Sequence, residues 1–119
     1  MNAAAVDGWL IVRPAPEYHV TEGDDVVLEC STNSSDPIHP VDWWKMDPSN
    51  IIKIYTIRSV SKLFAPRFSV ATDDVKADEY NLKIENVSKS DAGRYRCYDD
   101  GGYGPDKAET ILNVSSQYF

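Results

Sequence analysis

A chain of 119 residues is large enough for one hydrophobic core but not two. Hydrophobic residues make up 42% and charged residues 26%, a globular mix rather than a disordered one. Twelve basic against 19 acidic residues give a formal charge of −7, which argues against nucleic-acid binding, since that runs on clustered Lys and Arg meeting phosphates.

In chain order, residues 1–8 read as a flexible start, with Met1-Asn2-Ala3-Ala4-Ala5 a lead-in to a mature domain. Ala3-Ala4-Ala5-Val6 is short and lacks the basic flank of a signal peptide. No apolar run reaches the roughly 18 residues of a membrane helix, so membrane attachment would need a segment missing from this chain. From there the hydrophobic period is two. Val26–Cys30, Val41–Trp44, Ile51–Tyr55, Phe68–Val70, Leu82–Ile84, Tyr95–Tyr98 and Ile111–Val114 read as strands. Turn-forming clusters lie between them, among them Glu22-Gly23-Asp24, Ser34-Ser35-Asp36-Pro37, Asp47-Pro48-Ser49-Asn50 and Gly101-Gly102-Tyr103-Gly104. Ser88–Asp91 fits one short helical turn, and residues 117–119 form a tail. Short strands at this spacing predict an all-β antiparallel sandwich or barrel.

Cys30 and Cys97 are the only cysteines and belong to no Cys-x-x-Cys pair, which argues against a zinc knuckle or thioredoxin-like centre. They are either two buried thiols or one bridge closing most of the domain. A bridge over so long a loop would contribute about 4 kcal/mol and require an oxidising compartment. Asn33-Ser34-Ser35, Asn86-Val87-Ser88 and Asn113-Val114-Ser115 are N-glycosylation sequons. Asn33, Asn86 and Asn113 are therefore candidate glycan acceptors, and together with the cysteines they point to a secreted or cell-surface origin.

The residue types needed for catalysis are sparse. His19 and His39 lie in different segments, too few for a metal site. Asp73-Asp74 and Asp99-Asp100 read as solvated loop acids rather than a glycosidase pair. Gly101–Gly104 precedes no helix that could hold a phosphate. The sequence calls for neither a cofactor nor an enzyme, and function must be sought in a binding surface.

Asp91-Ala92-Gly93-Arg94-Tyr95-Arg96-Cys97 resembles the D-x-G-x-Y-x-C corner between strands E and F of the immunoglobulin superfamily. The resemblance covers about residues 9–116 and implies a V-type, two-sheet Greek-key sandwich. It implies an inter-sheet disulfide between Cys30 and Cys97, a core Trp43 beside it, and a Tyr95 whose hydroxyl pins the corner. Arg67-Phe68-Ser69-Val70 looks like the start of strand D in V-type domains, where the arginine pairs with the corner acid. That implies an Arg67–Asp91 salt bridge, with Lys45 as a second partner. The stretch from Cys30 to Cys97 leaves room for strands C′ and C″. Residues 50–55 and 67–97 are similar to the membrane-distal domain of the coxsackie and adenovirus receptor and the junctional adhesion molecules. Thr110–Ser116 is similar to the end of an antigen-receptor J segment. Tyr103-Gly104-Pro105-Asp106 lacks the second glycine of the F-G-x-G bulge and sits too far upstream, which argues against a rearranged receptor and leaves a non-rearranging, V-J-like one open.

If Trp43, Tyr95 and Cys97 face inward, alternation sends Trp44, Met46, Arg96 and Tyr98 to the outer face of the G-F-C-C′ sheet, with Lys53 and Tyr55 at its rim. Trp, Tyr, Met and Arg are enriched at interface centres. These six residues form the candidate interface, with Arg96 stacking over Trp44 as the alternative that would merely cover it. Residues 48–72 carry Lys53, Arg58, Lys62 and Arg67 and no acid, whereas the F–G region is acidic. The expectation is an extracellular adhesion or immune-type receptor domain that forms a homodimer through this face. The alternative is a heterophilic receptor or soluble pattern-recognition domain binding a protein or glycan through loops 31–40, 56–63 and 99–106.

Overall fold

The computed structural model describes residues 10–11, 17–32, 41–48, 50–56, 59–70, 80–99 and 106–117; the side chains of 10–11, 31–32, 98–99 and 106–108 lie outside that description. The expectations for residues 1–8, Asn33, His39, Arg58, Asp73-Asp74, Asp100 and the Gly101–Gly104 loop also fall outside the described residues.

Eleven strands are described. They are β1 (Leu10–Ile11), β2 (Glu17–Thr21), β3 (Val26–Leu28), β4 (Ser31–Thr32), β5 (Val41–Met46), β6 (Ile51–Thr56), β7 (Ser59–Val60), β8 (Phe68–Val70), β9 (Leu82–Ile84), β10 (Gly93–Asp99) and β11 (Asp106–Ser115). A 3-10 turn at Lys89–Asp91 precedes β10. One sheet has six strands in the order β2-β11-β10-β5-β6-β7, and the facing sheet runs β3-β9-β8; β1 pairs separately with β4. Here β6 and β7 are the C′ and C″ strands of a V-type sandwich. Pairing is antiparallel except between β11 and β2, which run parallel. The sandwich is antiparallel apart from this one edge, where β2 adds to β11 in the same direction.

Alternation builds the core. Val26 and Leu28 of β3, Leu82 and Ile84 of β9, Tyr95 and Cys97 of β10, and Leu112 of β11 are buried, while Val27, Lys83, Arg94 and Ile111 between them are exposed. Trp43 on β5 is 0% exposed, and its indole Nε1 donates to the Tyr80 carbonyl at 2.6 Å, so the buried polar end of the ring is satisfied. Cys30 and Cys97 form the disulfide joining the two sheets, with Cα atoms 6.5 Å apart, and Cys97 is the direct cross-strand neighbour of Trp43. Where β3 ends, the chain is held from outside the strand ladder. The Cys30 amide donates to Asn81 Oδ1, the Tyr80 amide to the Cys30 carbonyl, and the Glu29 amide to the Tyr18 hydroxyl.

The corner below the sandwich rests on one buried acid. Arg67 Nη1 and Nη2 donate to the two Asp91 carboxylate oxygens at 2.9 and 3.0 Å, and the Ser88 amide donates to Oδ2 at 2.8 Å. Burial pushes the Asp91 carboxyl up, but the Arg67 hydrogen bonds, the Ser88 amide and the Arg67 and Lys45 charges outweigh it, leaving the group below its ordinary value. The hydrogen bonds to Asp91 in turn hold the Arg67 guanidinium above its ordinary value. Tyr95 donates its hydroxyl to the Asp91 carbonyl, and burial pushes this phenol upward. Lys45 bonds not the carboxylate but the Ser90 carbonyl, at 2.6 Å, with its ammonium 5.8 Å from the Tyr95 ring centre. Burial lowers the Lys45 pKa, against the opposing charges of Asp91 and Asp47. Gly93 takes φ +146° at the start of β10, a conformation that calls for glycine, and a Cβ there would press the flexible Lys45 side chain at 3.2 Å.

Candidate functional site

The outer face of the six-stranded sheet can be read row by row from the strand register. Glu109, Arg96, Trp44 and Lys53 lie side by side on β11, β10, β5 and β6. The next row carries Glu17, Ile111, Arg94, Met46 and Ile51 on β2, β11, β10, β5 and β6. Beyond it, His19 and Asn113 pair at the β2–β11 corner. Inward neighbours on the same strands, among them Tyr95, Cys97, Trp43 and Leu112, are buried, which fixes the direction of these side chains.

Trp44 is partly exposed, in contrast to its buried neighbour Trp43. The long side chain over the ring is that of Lys53 rather than Arg96, the alternative weighed for covering it; the Lys53 ammonium lies 5.7 Å from the Trp44 ring centre. Arg96 is drawn the other way. Its Nε donates to Glu109 Oε2 at 2.9 Å, and its Nη2 pairs with the same oxygen. Arg94 Nε stands 3.9 Å from the other oxygen of Glu109. The row is therefore a strip reading acid, base, aromatic, base across four strands. Met46 is half-buried and Lys53 exposed on this face, while Tyr98 continues β10 with its side chain outside the described residues.

Tyr55 is a correction. Expected at the rim, it is 2% exposed and packed in the core with Ile54. The cause is a bulge: β5 residues Trp43 and Trp44 pair with Tyr55 and Lys53, so Ile54 is an extra residue in β6. An inserted residue breaks alternation, and both Ile54 and Tyr55 turn inward where period two would have sent Tyr55 out.

Four residues of the face lay outside the sequence expectation. Ile51 is 51% exposed and Ile111 38%, which makes them, among the described residues, the large apolar side chains most open to solvent on the face. Arg94 and Glu109 frame the charged strip. Their signal was present, since alternation from buried Tyr95 and Leu112 places Arg94 and Ile111 outward. Of the sequons, Asn86 is exposed in the turn after β9 and Asn113 is partly exposed on β11. The remaining expected residues sit structurally, as described above: Cys30 and Cys97 in the bridge, Trp43 and Tyr95 in the core, Arg67 and Asp91 at the corner. Among the described residues no group of three His, Cys, Asp or Glu side chains could hold a metal ion. His19 is a solvated edge residue, 3.6 Å from Glu17.

The Immunoglobulin V-set domain model matches residues 13–115. Among curated proteins the chain is 30% identical over 101 residues to mouse Tyrosine-protein phosphatase non-receptor type substrate 1, covering 81% of this chain and 19% of that protein. It is 24% identical over 110 residues to human Signal-regulatory protein beta-1, covering 91% and 27% respectively. It is 28% identical over 99 residues to human Basigin, covering 82% and 23%. The chain thus spans under a third of the length of these relatives. Among solved structures it is similar to the RIG-5 IG1 homodimer, with TM-score 0.75 and 22% identity over 90% of this chain and 98% of that one. It is also similar to the second Ig domain of the mouse Polymeric Immunoglobulin receptor, with TM-score 0.70 and 19% identity over 82% and 93%. These relationships, with the bridged sandwich and its C′ and C″ strands, make the chain a domain homologous to those of cell-surface receptors, and it belongs to the immunoglobulin V-set family.

Proposed function

We propose that this is an extracellular recognition domain of an adhesion or immune-type receptor that self-associates through the outer face of its six-stranded sheet. The observation that carries the reading is the strip Glu109–Arg96–Trp44–Lys53 flanked by exposed Ile111 and Ile51. A partly exposed tryptophan ringed by apolar and charged groups on a flat sheet has the composition of an interface centre. The charge order suits a second copy. A two-fold axis along the strand direction reverses the row on the facing copy. It sets Glu109 against the partner's Lys53, and Arg96 against the partner's Trp44. Strands about 4.8 Å apart make the face about 24 Å wide across six strands, room for the roughly 800 Å² per partner of a standard interface. The fold match to an Ig domain solved as a homodimer supports the same reading.

The test is sedimentation of the wild type and Trp44→Ala over a concentration series, with thermal melts alongside. The wild type self-associates, and Trp44→Ala weakens association by about 2 kcal/mol, roughly 30-fold, with its melt unchanged. A wild type that stays monomeric at high concentration refutes homodimerisation and gives the lead to heterophilic binding of a protein or glycan by the loops. If Trp44→Ala collapses the melt instead, Trp44 is a core residue and the face has been misread.

A further inference from the structure

We infer that Asn113 carries an N-glycan that shields the β2–β11 side of this face and restrains face-to-face pairing, an inference that rests on the proposed function for its second half. Asn113-Val114-Ser115 is a sequon on β11. Leu112 before it is buried and Val114 packs against the core, so Asn113 and Ser115 both point to the outer face. Asn113 is partly exposed, Ser115 exposed, and the neighbour across the strand is exposed His19 rather than a bulky apolar group. A glycan attached here therefore leaves the protein on the same side as Ile111, one outward position along the strand, and two rows from the strip that begins at Glu109. Two outward positions on a strand are about 7 Å apart and neighbouring strands about 4.8 Å, so a branched glycan at this corner reaches the centre of the face.

Asn86 makes the contrast. It is exposed at φ 50°, a left-handed conformation that asparagine tolerates, with its amide donating to Asp25 Oδ1 and its carbonyl accepting from Arg67. It lies in the turn between β9 and the Lys89–Asp91 turn, off the outer face, and a glycan there leaves the face clear. The same modification thus has opposite consequences at two sequons. At Asn86 it adds bulk to a corner, while at Asn113 it builds a steric barrier against a second copy on the β2–β11 half of the face.

The experiment is secretion of this chain from glycosylating eukaryotic cells as wild type, Asn113→Gln and Asn86→Gln. Peptide mass spectrometry before and after enzymatic glycan removal reads occupancy. Hydroxyl-radical footprinting of dilute protein reads the exposure of Ile111, and sedimentation reads self-association. The expected result is an occupied Asn113, stronger labelling of Ile111 in Asn113→Gln than in wild type, and self-association roughly tenfold or more tighter in Asn113→Gln, with Asn86→Gln matching wild type. An unmodified Asn113 peptide in secreted wild type overturns the inference. So does an occupied Asn113 with Ile111 labelled equally in wild type and Asn113→Gln. If no form self-associates, face pairing falls and restraint of it falls too, while occupancy and footprint still decide whether the glycan shields the face.

Discussion

Replacing Arg67 with alanine isolates the corner acid on which strand β10 is seated. In the native domain the Asp91 side chain is 7% exposed and receives two hydrogen bonds from the guanidinium and one from the Ser88 amide. Without Arg67 the carboxylate stays buried with the Ser88 amide, the Ser88 hydroxyl at 3.4 Å and the nearby Lys45 charge. A hydrogen bond to a charged group contributes about 1.5–3 kcal/mol. The Arg67 side chain is 40% exposed, so solvent screens part of this. The expected loss is about 1–3 kcal/mol, a fall of roughly 4–12 °C in Tm for a domain of this size. The loss has a definite pH dependence. Because the folded-state pKa of Asp91 is depressed, the pair stabilises the fold above the unfolded carboxylate pKa near 3.9 and loses that contribution as pH falls through the lower folded value. Urea unfolding of wild type and Arg67→Ala between pH 7 and pH 2.5 measures it. The two stabilities should differ most at neutral pH and converge at the acid end. A difference below about 0.5 kcal/mol at pH 7, or one that persists unchanged into acid, would refute the reasoning and mark the pair as solvated.

Two further perturbations test the core. Trp43→Ala should cost about 3–5 kcal/mol in chemical denaturation, since it empties a fully buried ring site and removes the indole hydrogen bond to the Tyr80 carbonyl; a cost near that of a surface substitution would show the β5 register to be wrong. Tyr95→Phe removes the hydroxyl bonded to the Asp91 carbonyl while keeping the ring, and should lower stability by about 1–2 kcal/mol; an unchanged melt would mean that the corner is pinned by Arg67 alone.

The parts of this molecule legible in the sequence are those governed by regular alternation. Val41-Asp42-Trp43-Trp44 could be assigned because β5 runs without interruption beside β10, so the burial of Cys97 dictates that of Trp43. Tyr55 was not legible, because the bulge at Ile54 depends on how β6 meets β5 and leaves no mark on composition. The strand β2 was missed for another reason. Tyr18 and Val20 alternate correctly, but the strand exists by adding in parallel to β11, a pairing between residues nearly a hundred positions apart. At the face, the outward direction of Trp44 was legible and its company was not. Side-chain length and charge let Arg96 reach either Trp44 or Glu109, and the cross-strand acid takes it, leaving Trp44 to Lys53.

The most direct measurement is a concentration series of amide NMR spectra on the uniformly labelled domain. The account predicts shifts that grow with concentration and concentrate on 42–46 of β5, 51–53 of β6, 94–98 of β10 and 109–111 of β11, with β3, β8 and β9 unmoved. Shifts centred on β3-β9-β8, or none up to millimolar concentration, would contradict it.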